Sequence, residues 1–251
     1  MKVFLLGAGN SAKIILDELN FEKVYVYDKN FKQFEKLKEI HNEIEYLDIK
    51  NLETIDVDYI IEVASVEALK NYGLKLLDMN KNLIVLSTGA FADKTFRYNF
   101  VKKLNNKNIN VYVVSGAIGG IDLIRTISNK INTITLITRK TPKRLGIDIT
   151  TKEKIIFEGN SIEAIERFPK NINVAVTLAL AIKNFEKVKV KIIADPFIER
   201  NVHSIEIKSK VGNYTFKFEN YPSKNPKTSY LAPLSIVGLL KNIHSKFKIG
   251  G

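Results

Sequence analysis

A chain of 251 residues with 45% hydrophobic and 26% charged side chains has the length for one or two domains and the balance of an ordinary soluble globular protein. It contains no cysteine, which excludes disulfides, thiolate nucleophiles and cysteine-based zinc sites, and no apolar run approaches the roughly 18 residues that span a bilayer, so no membrane partner is expected. The formal net charge of +12 comes from lysines scattered over the whole chain, without the dense basic tract of a nucleic-acid surface, so no nucleic-acid partner is expected either.

The first predicted element is a buried strand, Lys2–Leu6. Apolar residues begin at once and a glycine turn breaks them after Leu6, so no secretory signal is read and a cytoplasmic location is expected. Residues 10–20 carry Ile14, Ile15, Leu16 and Leu19 at helical spacing. Strands are predicted at 23–28, 44–47, 58–64, 82–87 and 111–115, and helices at 29–41, 66–79 and 93–104. Strand and helix alternate, which implies right-handed crossovers and a parallel, doubly wound sheet over residues 1–115.

After Ser115 the rhythm changes. Residues 131–140, 187–195, 202–210 and 213–219 show period-two alternation, with helical stretches near 161–168 and 172–185 between them. In KVKVK (187–191) the lysines share one strand face, the wet one. This reads as an α+β second domain over 116–251 with a mixed or antiparallel sheet. The last predicted helix covers about 228–246, takes Pro233 in its first turns and is a candidate to pack back on the first domain.

The turn after the first strand, Gly7-Ala-Gly-Asn-Ser-Ala12, fits a phosphate-binding loop. Gly7 permits the sharp exit from the strand, Gly9 lets the backbone approach a pyrophosphate, and Ala12 takes the position that serves close helix–strand packing. The helix start at Asn10 and Ser11 offers N–H groups and a dipole that favour an anion. Asp28 ends the next strand, about 20 residues on, where a carboxylate accepts from ribose hydroxyls. The first domain is therefore expected to be a Rossmann-type dinucleotide-binding domain. Asp28 repels a 2′-phosphate and favours NAD; its neighbour Lys29 softens that preference, which keeps NADP as the second option. Ligands bind beyond the carboxyl ends of such strands, and small residues stand at each end: Ala64-Ser65, Ser87-Thr88-Gly89 and Ser115-Gly116-Ala117. Each of these ends also suits routine strand-to-loop chemistry.

Acid–base candidates are few. His41 and His244 read as surface residues. His203 shares a strand face with Asn201, Ile205 and Ile207, so it points inward, as a core histidine or as an active-site one. No His–carboxylate cluster has metal spacing, so no metal is expected.

The segments EVASVEALKNYGLKLLDMNKNLIVLSTGAFAD, SGAIGGID, FPKNINVAVTLALA and DPFIERNVHSIEI, in this order, resemble the L-aspartate dehydrogenase family. The likeness runs from the glycine loop to the C-terminal helix. It implies a homodimer of a dinucleotide domain and an α+β catalytic domain. It also implies NAD- or NADP-dependent oxidative deamination of L-aspartate, through iminosuccinate, to oxaloacetate and ammonia. In many prokaryotes that imine feeds quinolinate, so a hand-off to a quinolinate-forming enzyme is implied as well. The resemblance makes His203, the histidine of the N-x-H strand, the catalytic residue, and matches Ala117 and Asn173 to positions that contact NAD. Ala12 and the Asn10-Ser11 pair depart from the commoner family loop. A substrate with two carboxylates needs cationic or N–H donors. Lys140, the loop at Thr88 and the helix start after Gly120 are candidates, with Asn201 beside His203. The alternatives are another two-domain reductase of an anionic amino-acid-like substrate and a non-catalytic NAD-binding sensor.

Overall fold

A computed structural model of the chain describes residues 1–148, 151–168, 172–223 and 229–249. The chain forms two compact units: Met1–Val114 with Ala232–Lys248, and Ser115–Leu231.

The first unit runs β1 (Lys2–Leu6), α1 (Asn10–Glu18), β2 (Lys23–Tyr27), α2 (Phe31–Lys38), β3 (Glu45–Tyr46), β4 (Tyr59–Glu62), α3 (Val66–Asp78), β5 (Asn82–Val85), α4 (Lys94–Leu104) and β6 (Val111–Val113). The strands form one parallel sheet in the order β3-β2-β1-β4-β5-β6. β1 and β4 are central, and helices cover both faces, which is why VFLL of β1 and YII of β4 read as unbroken apolar runs and not as alternations. Chain order reverses between β1 and β4, so the loops leaving those strands flank the crevice where open α/β sheets take ligands.

The second unit runs α5 (Ile121–Thr126), β7 (Ile131–Lys140), α6 (Pro142–Leu145), β8 (Lys154–Asn160), α7 (Ser161–Arg167), α8 (Asn173–Ala181), β9 (Val188–Ala194), β10 (Val202–Ser209) and β11 (Gly212–Glu219). Its mixed sheet has the order β11-β10-β7-β9-β8, with β7 and β9 parallel and the other pairs antiparallel. Ile134 and Leu136 of β7, Val190 and Ile192 of β9, and Ile205 and Ile207 of β10 pack with Leu178 and Ala179 of α8 in one cluster. Lys189 lies on the exposed face of β9, as the KVKVK alternation predicts.

The sequence predicts no strand at β8. Its register with β9 shifts between Ile155 and Phe157, so Ile155, Ile156 and Phe157 stand as an apolar triplet with no period-two alternation. The last helix, α9 (Leu231–His244), buries Ile236, Val237 and Leu240 in the cluster of Val3, Leu5, Ile15 and Ile61. Thr228, where the sequence reading began that helix, lies outside the described residues, as do Pro169, Lys170 and Asn171 of the FPKNIN segment. His41 is not a free surface residue: its imidazole is largely covered and Nε2 lies 3.2 Å from Asp17 Oδ1. Among the described residues no helix is long and apolar enough to cross a membrane.

Candidate active site

In the first unit the chain leaves β1 through Gly7 at φ +112, a conformation that favours glycine. A Cβ on Gly7 would also stand 2.8 Å from Ala64 Cα, so this turn rests directly on the loop that leaves β4. Gly9 is different. A Cβ there would meet nothing within 4 Å, so the protein itself does not require glycine and the space in front of it is open. The N-terminus of α1 has no side-chain cap, whereas Ser65 caps α3 and Asp93 caps α4. The first N–H groups of α1 are thus left for an anion. Asn10 Nδ2 is buried without a hydrogen-bond partner among the described residues, a donor in want of an acceptor.

Asp28 binds the loop from the other side. Its Oδ2 accepts the N–H of Ala8 at 2.9 Å, and its Oδ1 accepts that of Asn30 at 2.9 Å. Each oxygen keeps a further lone pair. Beside it a cleft of about 340 Å³ is lined by Gly7, Tyr27, Asp28, Ala64, Asn71 and Tyr72, among others. At its rim Lys29 Nζ pairs with Glu67 Oε2 at 4.0 Å. A glycine turn, an uncapped helix, an orphaned amide and an acidic residue at the cleft fit a dinucleotide: phosphates at the helix start, a ribose at Asp28. Thr88 belongs to this unit too, buried at the start of a 3-10 turn after β5.

The second unit holds the ionisable cluster. His203 lies opposite Thr138 in the β10–β7 pairing, and Thr138 Oγ1 is 3.0 Å from His203 Nδ1, both side chains buried. Two residues along β7 on the same face stands Lys140, beside Thr138 on the wall of a cavity of about 10 Å³ made chiefly of Leu136, Leu145, Phe168 and Ile192. That apolar wall explains its titration: burial, then the charge of Arg144, pushes the Lys140 ammonium down to about 8. Burial, and then the charge of Lys140, pushes His203 down to about 4. His203 is therefore a neutral imidazole at pH 7. Arg144 in α6 donates from Nη1 to Asn201 Oδ1 at 2.8 Å, which joins Asn201 to the same end of the sheet. Arg139 donates to the buried Asp195 at 2.8 Å, and Asp195 N–H to Lys140 O at 2.9 Å, fixing the β7 end to the turn that leads into β10.

The sequence-predicted residues Lys140, Asn201 and His203 are thus brought together at one end of the second sheet. Ala117 lies in the loop before α5, where its carbonyl accepts from Asn220 Nδ2 at 2.7 Å. Asn173 opens α8. Sequence reasoning missed Thr138 and Arg144. Thr138 could have been found from the alternation Leu136, Thr138, Lys140, which puts it on the face of the candidate lysine; Arg144 sits in the basic run RKTPKR with no spacing to mark it.

Residues 122–243 match the family described as "Aspartate dehydrogenase, C-terminal", and residues 6–114 the one described as "Homoserine dehydrogenase, NAD binding domain". An L-aspartate dehydrogenase of Thermotoga sp. (strain RQ2) is 43% identical over 251 residues, which is 100% of both chains. That of Thermotoga maritima is 42% identical over 251 residues, again 100% of both. The crystal structure of aspartate dehydrogenase from Thermotoga maritima superposes with a TM-score of 0.85 at 38% identity, covering 100% of this chain and 99% of that one.

Proposed function

The chain belongs to the L-aspartate dehydrogenase family, an oxidoreductase family, and from that premise we propose that it oxidatively deaminates L-aspartate through iminosuccinate to oxaloacetate and ammonia. In this reading the first unit binds the dinucleotide and the second carries the chemistry. The observation that carries it is the buried imidazole of His203, held by Thr138 at 3.0 Å with the charge of Lys140 acting on it, and Arg144 bonded to Asn201 at the same end of the sheet.

Bound NAD supplies the acceptor for the hydride that leaves Cα of aspartate. The protein's share is binding and proton transfer. Lys140 and Arg144 attract the two substrate carboxylates, with Asn201 oriented by Arg144. If Nδ1–H of His203 donates to Thr138, Nε2 keeps a lone pair. It takes the proton that water loses on adding to the imine carbon, and returns one to the departing nitrogen. Gly7, Gly9, Asn10, Ser11, Asp28 and Ala64 hold the nucleotide. Ala117, Asn173 and Thr88 are further cofactor or substrate contacts, the first two on the family resemblance.

NAD is the proposed physiological cofactor. Asp28 presents a carboxylate to the ribose, and the carboxylates of both Asp28 and Glu67 line the cleft, where a 2′-phosphate would meet their charge. A cytoplasmic location completes the proposal; a homodimer, and delivery of the imine to a quinolinate-forming enzyme, rest on the family resemblance alone. The test is direct: purified protein with aspartate and NAD, followed by the absorbance of the reduced cofactor. Folded protein that binds NADH and produces none from aspartate would instead fit a sensor.

A further inference from the structure

Glu62 has no part in the chemistry above. It ends β4 after Tyr59-Ile60-Ile61, and its exposure is 0%. A buried carboxylate is a poor device for stability, because desolvation costs more than an apolar side chain of the same volume would. Its partners say what it does instead. Oε1 accepts the N–H of Ala64 at 2.9 Å and the hydroxyl of Ser87 at 2.8 Å, and Oε2 accepts the N–H of Ser87 at 2.9 Å. All three are donors to the carboxyl oxygens; burial pushes the Glu62 carboxyl above its usual range, and these same bonds pull it back.

These bonds join the loop that leaves β4 to the loop that leaves β5. Both lie at the carboxyl edge of the first sheet, and Ala64 is the residue on which Gly7 rests. One side chain therefore fixes the spacing of two crevice loops and, through Ala64, the footing of the glycine turn. Ala64 and Gly7 both line the cleft beside Asp28.

We propose that Glu62 is a positioning residue for the dinucleotide, its carboxylate tying the Ala64 and Ser87 loops into the spacing that the cofactor needs. This rests on the reading of the first unit as the cofactor-binding one. Glu62→Gln isolates it. The amide oxygen takes only one of the two oxygen places, so the NH₂ faces either the Ser87 N–H or the Ala64 N–H and releases that donor.

The experiment measures the NADH dissociation constant of the full-length protein by fluorescence titration, with melting temperature and amide hydrogen exchange at Ala64 and Ser87. A buried donor left unsatisfied is worth roughly 5- to 150-fold, so Glu62→Gln is expected to weaken NADH about tenfold and to speed exchange at one of the two amides. Ser87→Ala removes one of the three bonds and is expected to weaken NADH by about threefold, on the scale of one net hydrogen bond. A merely structural Glu62 would lower the melting temperature and leave the NADH constant of folded protein unchanged, which would overturn the proposal. Should Glu62→Gln not fold, an unchanged constant in Ser87→Ala overturns it equally. Wild-type protein that binds no NADH would sink the dinucleotide reading and the Glu62 proposal with it; tight NADH binding by both wild type and Glu62→Gln sinks only the latter.

Discussion

Replacing His203 by glutamine tests both halves of its assignment, the buried neutral state and the proton transfer. Its pKa falls from 6.5 to about 4. At about 1.4 kcal/mol per pH unit, that fall is worth about 3 kcal/mol. The sign follows from proton counting. Between about pH 6.5 and 4 the unfolded chain carries the proton on His203 and the native chain does not. Stability from this residue is therefore complete above about pH 6.5 and is lost as pH falls toward 4. Denaturant titrations at pH 7 and pH 4.5 should show wild type losing about 2–3 kcal/mol more than His203→Gln, which has no proton to gain. Glutamine can still hydrogen-bond Thr138, so the comparison isolates the charge. At pH 7.5 the same variant should lose about 10²–10⁴-fold in kcat, the usual share of general acid–base catalysis, with NADH affinity nearly intact. The acid limb that His203 gives the wild-type pH–rate profile should sit well below pH 6.5. Equal acid sensitivity of the two proteins would refute the buried neutral imidazole. A stable His203→Gln enzyme with the wild-type rate would refute the catalytic role.

Gly9→Val should still fold, since a Cβ there meets nothing within 4 Å, with the melting temperature lowered modestly by valine at the N-cap, and yet lose NADH binding, because the branch fills the space of the pyrophosphate; NADH binding at wild-type strength ends the phosphate-loop assignment. Asp28→Asn should raise the NADP-to-NAD ratio of kcat/KM by about tenfold or more, the scale of one removed like-charge contact near the surface, read from initial rates with each cofactor; an unmoved ratio removes Asp28 from cofactor selection. Arg144→Met should raise KM for aspartate by about 10- to 100-fold, the loss of a charge-assisted hydrogen bond, and leave the melting temperature close to wild type; an unchanged KM takes Arg144 out of the substrate site.

What was legible in the sequence followed from how each element is buried. β1 and β4 are covered on both faces, so their apolar runs are unbroken and Gly7 marks where β1 must stop. β10 is covered on one face, and the resulting alternation put His203 inward beside Ile205 and Ile207. β8 escaped because its bulge destroys the period on which strands are recognised. The site was legible as far as a single strand could carry it. Lys140 and His203 were found separately, but their neighbourhood depends on the β7–β10 register, which sets Thr138 against His203 and is not written in either strand alone. Arg144 joins through a hydrogen bond to a residue 57 positions away, and Glu62 reaches 25 positions to Ser87; no local pattern encodes such contacts. Even so, a glutamate closing the apolar run Tyr59-Ile60-Ile61 is a visible break in pattern.

The depressed titration of Lys140 and His203 has one physical cause that a substrate would reverse in part. Both groups are buried, and each positive charge there raises the cost of the next: Arg144 lowers Lys140, and Lys140 lowers His203. A dianionic ligand brings negative charge to this cluster. It should restore the Lys140 ammonium, whose pKa of about 8 leaves it about half neutral at pH 8, while His203 starts so low that it stays an acceptor. Succinate has both carboxylates of aspartate and no amine to oxidise, so it reports binding alone. Its binding at pH 8, to protein saturated with NAD, should draw in about half a proton. At pH 6.5, where Lys140 is already charged, uptake should nearly vanish. Calorimetric titrations in buffers of different ionisation enthalpy give the proton count directly. Binding without uptake at pH 8, or uptake that Lys140→Met leaves in place, would show that Lys140 does not meet the substrate carboxylates.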